Sequence, residues 1–190
     1  MKKKLIDQKY LLIPNFISLN EVNQYVDEFL YYDKNYQLES IADYAPNCSD
    51  AYNPLFAAEV LCNMTSRISD IVGECVVPTY SYGRIYRNGD VLPKHTDRAA
   101  CEISLTIHLR GDAQWFFGCY DKKFLLNPGD AILYLGTLVP HYRVGPFSGK
   151  EYMQFFLHYV RSRGCHSDCI FDKIETNVDN KKLLEEINGI

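Results

Sequence analysis

The stretch whose reading decides the fold is "CEISLTIHLRGDAQWFFGCYDKKFLLNPGDAILYL", residues 101–135. At its start Ile103, Leu105, Ile107 and Leu109 alternate with Ser104, Thr106 and His108, the two-residue period of a strand. Turn-forming clusters then interrupt the chain at Arg110-Gly111-Asp112 and Asn127-Pro128-Gly129-Asp130. The pieces between them, "AQWFFGCY", "KKFLL" and "DAILYL", are too short for helices and rich in aromatic or branched residues. Working outward, "VVPTYSYGRIY" precedes the stretch, while "HYRV" and "EYMQFFLHYVR" follow it. Further turns fall at Asn88-Gly89-Asp90 and Ser148-Gly149-Lys150. About seven or eight short strands so spaced predict a sandwich or barrel rather than alternating βαβ units.

Two helices are expected ahead of these strands. "ISLNEVNQYVDEFLYY" sets Ser18 three residues before Glu21, a reciprocal capping pattern, and brings Val22, Tyr25, Val26, Phe29 and Leu30 to one face. The second runs from about Pro54 to Ile71, with Leu61, Met64, Ile68 and Ile71 on one face and Gly73 placed to terminate it. At 190 residues the chain is read as one domain. It comprises a helical lead-in over 1–75, a strand-rich core over 76–161 and a polar tail over 162–190. That tail ends in "NKKLLEEINGI", a short helix or a frayed end.

Composition narrows the function classes. The net charge is -4 and no basic stripe is present, which disfavours nucleic acid as a partner. No stretch approaches the length of a membrane span, so no membrane partner is expected. The odd count of seven cysteines, with no apolar leader in "MKKKLIDQKYLLIPNF", suggests reduced thiols and a cytoplasmic location. Fifteen tyrosines and ten phenylalanines suggest a cleft with aromatic walls.

His95 and Asp97 are two apart, so an extended backbone points both side chains the same way. Alone, such a pair is as well read as a polar turn. His141 opens a later strand, and Lys150 begins the one after it. Two histidines and one carboxylate on one face hold Fe(II) in oxygenases and keep its other positions open. A chelating 2-oxo acid then needs a cation for its far carboxylate, a part that suits Lys150.

With these residues assembled, Val76–Arg161 resembles the Fe(II)/2-oxoglutarate-dependent dioxygenases, and within them the prolyl 4-hydroxylase-like branch. The resemblance rests on "YRNGDVLPKHTD", "ISLTIHL", "NPGDAILYLGTLVPH" and the "GK" beyond the distal histidine. The entry "KYLLIPNFISLNEVNQYVDEFL" is also similar to the strand-then-helix lead-in of that branch. It implies a mainly β fold, a double-stranded β-helix (jelly roll, cupin-like) preceded and flanked by two N-terminal α-helices. It implies that His95, Asp97 and His141 bind the metal, that Lys150 pairs with the C5 carboxylate of 2-oxoglutarate, and that Tyr86 lines the cosubstrate pocket. Many members carry arginine about ten residues beyond the distal histidine; here lysine stands at nine. The implied reaction uses Fe(II), 2-oxoglutarate and O2 to hydroxylate a C–H bond of a prolyl or other peptidyl residue, or of a small amino-acid-like molecule.

Further residues fall near this constellation. Arg143 is the fallback partner for the cosubstrate carboxylate. Arg98 and Glu102 follow Asp97 closely and are candidates for substrate contact, with structural ion pairing as the alternative. His108 shares a polar stripe with Glu102, Ser104 and Thr106, facing either the pocket or solvent. Trp115 is a substrate wall or a core residue. "RGCHSDC" groups Cys165, His166, Asp168 and Cys169, but a single cluster falls short of a structural zinc pattern. His158 reads as a sheet histidine satisfied by its neighbours. Two other functions stay open: a non-catalytic jelly-roll module that binds metal or senses, and a cupin-like metalloenzyme that does not use 2-oxoglutarate. Substrate identity and oligomeric state are not specified by any motif.

Overall fold

The computed structural model describes Leu5 and residues 7–172. After strand β1 (Tyr10–Ile13) the chain enters helix α1 (Leu19–Tyr36). The Ser18 hydroxyl accepts from the Glu21 amide at 3.3 Å, and the Glu21 carboxylate accepts from the Ser18 amide at 2.7 Å. Two amides that the helix leaves unpaired are thereby satisfied. Strand β2 (Ser49–Tyr52) precedes helix α2 (Leu55–Val72), which starts directly after Pro54. It ends at Gly73, whose φ of 80° is left-handed backbone that glycine adopts without penalty.

The remaining strands are β3 (Val76–Arg87), β4 (Ile103–Gly111), β5 (Phe117–Cys119), β6 (Lys122–Phe124), β7 (Ala131–Tyr134), β8 (His141–Arg143) and β9 (Glu151–Arg161). They form a six-stranded antiparallel sheet, ordered β1-β7-β4-β9-β3-β2, and a three-stranded one, ordered β6-β5-β8. Among the described residues the fold is therefore mainly β with two long helices. Every strand expected from Val76 onward is found, several of them trimmed at the ends. Strand β2 was not expected: "SDAY" is four residues long and lacks the alternation that marks the others. The tail ending "NKKLLEEINGI" lies outside the described residues.

The large sheet separates two environments. On its outer face Leu105, Ile107, Met153, Phe155 and Leu157 pack with Val26, Phe29, Val60 and Ile68 of the helices. Each such side chain contributes about 1.5–3 kcal/mol by leaving water, which holds the helices to the sheet. The inner face is polar and aromatic, and its residues stack in layers set by strand register. Ser104 pairs with His158, Thr106 with Phe156 and His108 with Gln154. Across the other edge of β9, Tyr82 pairs with Phe156, Arg84 with Gln154 and Tyr86 with Tyr152. The small sheet meets this face through Phe117, 5.8 Å from the Tyr134 ring, while Trp115, just ahead of β5, stands 5.5 Å from Tyr152.

Candidate active site

Backbone hydrogen bonds bring the two halves of the constellation together. The His95 amide donates to the His141 carbonyl at 3.1 Å, and the His141 amide donates back at 2.9 Å. Asp97 is anchored by its amide to the Gly136 carbonyl at 2.9 Å. The side chains then converge: Asp97 Oδ1 lies 3.3 Å from His141 Nε2 and 3.6 Å from His95 Nε2. These are three ligand atoms within 4.8 Å of one another.

The far nitrogen of each ring is also fixed. His95 Nδ1 is 2.8 Å from the Pro93 carbonyl and His141 Nδ1 is 2.9 Å from the Val139 carbonyl. A carbonyl only accepts, so each Nδ1 carries a proton there and each ring presents Nε2 to Asp97, where a bound cation would take the place of an Nε2 proton. Two ring nitrogens and a carboxylate oxygen facing one another suit a bound cation. Burial disfavours the Asp97 charge, but hydrogen bonding toward His141 and His95 outweighs it and holds the carboxyl well below the usual range. The His95 pKa is raised, chiefly by its hydrogen bond to Asp97.

A cavity of about 450 Å³ opens beside these ligands, walled by Tyr80, Tyr82, Tyr86, Tyr134 and Phe156 and reaching Arg84. Arg84 is already neutralised. Its Nε donates to Asp50 Oδ1 at 2.5 Å and its Nη2 to Asp50 Oδ2 at 2.9 Å.

Arg143 is different. It follows His141 on β8, shares its inward face and is 3% exposed. Its Nη1 donates to the Trp115 carbonyl at 2.8 Å and to Tyr152 Oη at 3.2 Å, and its Nη2 donates to Gln154 Oε1. No carboxylate among the described residues pairs with it, and Nε has no partner. Gln154 Nε2, Tyr86 Oη and His108 Nδ1 are likewise buried and unpartnered. A buried cation without a counter-charge, ringed by unused polar atoms, is costly unless an anion completes it.

Lys150 stands elsewhere: it is exposed, and its backbone amide donates to Asp112 at 2.9 Å. Of the two cations named for the cosubstrate carboxylate, the buried one is thus Arg143 and not Lys150, because the turn at Ser148–Lys150 ends before β9 enters the interior. Tyr86 is fully buried and lines the cavity, and its hydroxyl pKa is raised by burial against the opposing charges of Arg84 and Arg143.

The other candidates divide. His108 faces inward and is buried; burial, then the Arg143 charge, push its pKa down to about 3, so it is neutral. Its ring stacks on Tyr152 at 4.3 Å. Glu102 does not join this stripe. It accepts from the Arg161 amide at 2.9 Å and Nε at 2.7 Å and lines a separate cavity, since the turn Ala99–Cys101 sets it off the inward face of β4. Arg98 pairs with Asp172 at the rim and covers the Tyr80 ring at 4.7 Å. Trp115 is 3% exposed, packed against Tyr86 and Phe147, and donates to the Gly145 carbonyl at 3.0 Å. Cys165, His166, Asp168 and Cys169 assemble no metal-ligand group among the described residues, and all seven cysteines are free thiols. Among the described residues no helix is long and apolar enough to cross a membrane.

Sequence reading passed over Gln154, and it took His158 for a sheet residue. The signal was present in "EYMQFFLHYV": Tyr152, Gln154 and His158 fall on one face, while Met153, Phe155, Leu157 and Tyr159 fall on the other.

No family model and no curated protein matches the chain. Solved structures do. A Pseudomonas putida prolyl-4-hydroxylase aligns with a TM-score of 0.66 at 16% identity, covering 85% of this chain and 97% of that one. HygX from Streptomyces hygroscopicus, with nickel, 2-oxoglutarate and hygromycin B bound, aligns with a TM-score of 0.67 at 12% identity, over 85% and 87%. The viral collagen prolyl hydroxylase of Paramecium Bursaria Chlorella virus-1, in its 2-oxoglutarate complex, gives 0.61 at 11%, over 80% and 94%. The chain shares the fold of these proteins.

Proposed function

We propose that the protein is an Fe(II)- and 2-oxoglutarate-dependent oxygenase whose double-stranded β-helix acts on a small molecule or a single side chain. The observation that carries this reading is the convergence of His95 Nε2, Asp97 Oδ1 and His141 Nε2, with both histidine tautomers fixed for ligation. Bound there with the cosubstrate, Fe(II) would activate O2, coupling decarboxylation of 2-oxoglutarate to succinate and CO2 with oxidation of a substrate C–H bond.

The chain's own residues supply binding and orientation. Arg143, buried without a carboxylate partner and two residues beyond His141 on β8, is assigned to the C5 carboxylate, with Tyr86 Oη and Gln154 Nε2 as further unpartnered donors. Tyr80, Tyr82 and Phe156 wall the space beside the metal and limit the target to something of side-chain size. A prolyl residue, or a free amino acid, fits that limit.

The test is succinate release from 2-oxoglutarate with Fe(II), over a panel of prolyl peptides and free amino acids. Wild-type protein is expected to release succinate, more with its substrate than without. Purified Asp97→Ala protein is expected to release none. Equal release by wild type and variant overturns the assignment.

A further inference from the structure

His158 lies on β9 opposite Ser104 in register and lines the cavity beside Asp97. Its Nδ1 is 3.0 Å from Ser104 Oγ, and that same Oγ is 2.8 Å from Asp97 Oδ2 and 3.2 Å from the Cys101 carbonyl. A serine hydroxyl has one proton. Asp97 Oδ2 and the Cys101 carbonyl can only accept, so the proton is directed to them, and at the shorter distance mainly to Asp97. Toward His158, Ser104 Oγ can then only accept, which requires the imidazole proton to be on Nδ1.

The ring is buried, which favours its neutral form, and with the proton on Nδ1 the Nε2 lone pair is left free. That nitrogen has no hydrogen-bond partner among the described residues. Tyr80 flanks the ring at 4.4 Å, and the Phe156 ring lies nearly parallel to it at 6.4 Å. With Nδ1 committed to Ser104 and the faces flanked, the Nε2 edge is what the ring offers to the cavity.

We propose that His158 selects substrate, with Nε2 accepting a hydrogen bond from an N–H or O–H group next to the carbon that reacts. The substrate class is thereby narrowed to molecules that pair such a donor with an apolar or flat body suited to Tyr80, Tyr82 and Phe156. A fully alkylated amide or ether at that point leaves Nε2 buried without a partner, and is selected against. The inference rests on the oxygenase reading for what the cavity holds.

Two measurements test it. In protein labelled with 15N-histidine and loaded with Zn(II) and 2-oxoglutarate, the His158 ring is expected as the Nδ1–H tautomer; an Nε2–H tautomer overturns the proposal whatever the substrate. The second compares His158→Gln, which keeps an acceptor at the Nε2 position, with His158→Asn, which keeps only the donor to Ser104. The probe is the compound from the peptide and amino-acid panel that most raises wild-type succinate release. The Asn variant is expected to raise its KM about tenfold, the cost of one lost hydrogen bond, while Gln stays near wild type. The reverse order assigns His158 to supporting Ser104 alone and overturns the proposal. Absence of succinate release from wild-type protein sinks the oxygenase reading instead, and the tautomer experiment still decides the His158 assignment.

Discussion

Arg143 donates through Nη2 to Oε1 of Gln154 across the interior, while its own Nε is left without a partner. The pair joins β8, the strand that also carries His141, to β9. Arg84, also buried and next to Gln154 in register, carries a bidentate carboxylate partner; Arg143 carries none. Of these two buried guanidinium groups, one has its counter-charge among the described residues and the other does not, which leaves room for an anion. In the proposed function that anion is the second carboxylate of 2-oxoglutarate.

Removing the Arg143 charge should therefore act on the cosubstrate. Arg143→Gln is expected to raise the KM for 2-oxoglutarate by roughly 10- to 100-fold, since hydrogen bonds to charged groups are worth about 1.5–3 kcal/mol. Lys150→Ala, at an exposed position, should leave it unchanged. Steady-state kinetics on both variants decide the matter: a rise confined to the Lys150 variant returns the role to the turn.

Much of this was legible in the sequence because strand alternation and turn residues are local signals. Ser18 with Glu21, Pro54 and Gly73 bounded both helices by backbone chemistry that tertiary contacts did not override. His95, Asp97 and His141 could be grouped from the sequence, and they converge in the fold, because strand pairing brings ordered polar residues near strand ends together. The choice between the two candidate cations was not legible, for the opposite reason. Lys150 and Arg143 flank the same turn, and only the fold reveals which of them points inward and which is spent on the surface. Glu102 shares the parity of Ser104 and His108 but falls in the turn before β4, so parity alone put it on the wrong face.

Gly136 explains a constraint within "YLGTLVPH". A Cβ there would fall well inside contact distance of Asp97 Oδ2, Ser104 Oγ and the Cys101 carbonyl. Gly136→Ala should displace the carboxylate and cost about 1–3 kcal/mol in stability from overpacking. Ser104→Ala, which removes the hydrogen bond to Asp97 Oδ2 without crowding, should weaken Ni(II) or Mn(II) binding roughly 10- to 100-fold with little loss of stability. Calorimetric titration with the metal separates the two effects, and wild-type affinity in Ser104→Ala protein would remove Asp97 orientation from its role.

Metal binding should also depend on pH in a direction that His95 sets. Its pKa is raised above the ordinary imidazole value, so a proton competes for Nε2 over a wider range. Affinity for Ni(II) is expected to be full at alkaline pH. It should fall as pH drops through the raised value, so the decline begins above the ordinary range near 6.5. A titration series from pH 8.5 to 5.5 is enough to see this (about one decade of affinity per pH unit per competing proton). A flat profile across that range contradicts ligation by His95.

The last prediction concerns Asp50 and Arg84, which tie the short strand β2 to the cavity wall. Their side chains are 1% and 4% exposed, and Tyr82 Oη accepts from Arg84 Nη2 at 2.6 Å. Replacing Asp50 by Asn keeps the shape but leaves a buried guanidinium without its counter-charge, a loss of about 3–5 kcal/mol for a buried pair broken on one side. Because Arg84 lines the cavity, the released charge would also face the cosubstrate and substrate. Urea unfolding of Asp50→Asn protein should show the full loss. In the Asp50→Asn, Arg84→Met double variant much of it should return, since no charge is then left buried. A single variant within about 1 kcal/mol of wild type, the range of an exposed pair, would mean that water reaches Arg84 and that the cavity wall is wetter than its packing indicates.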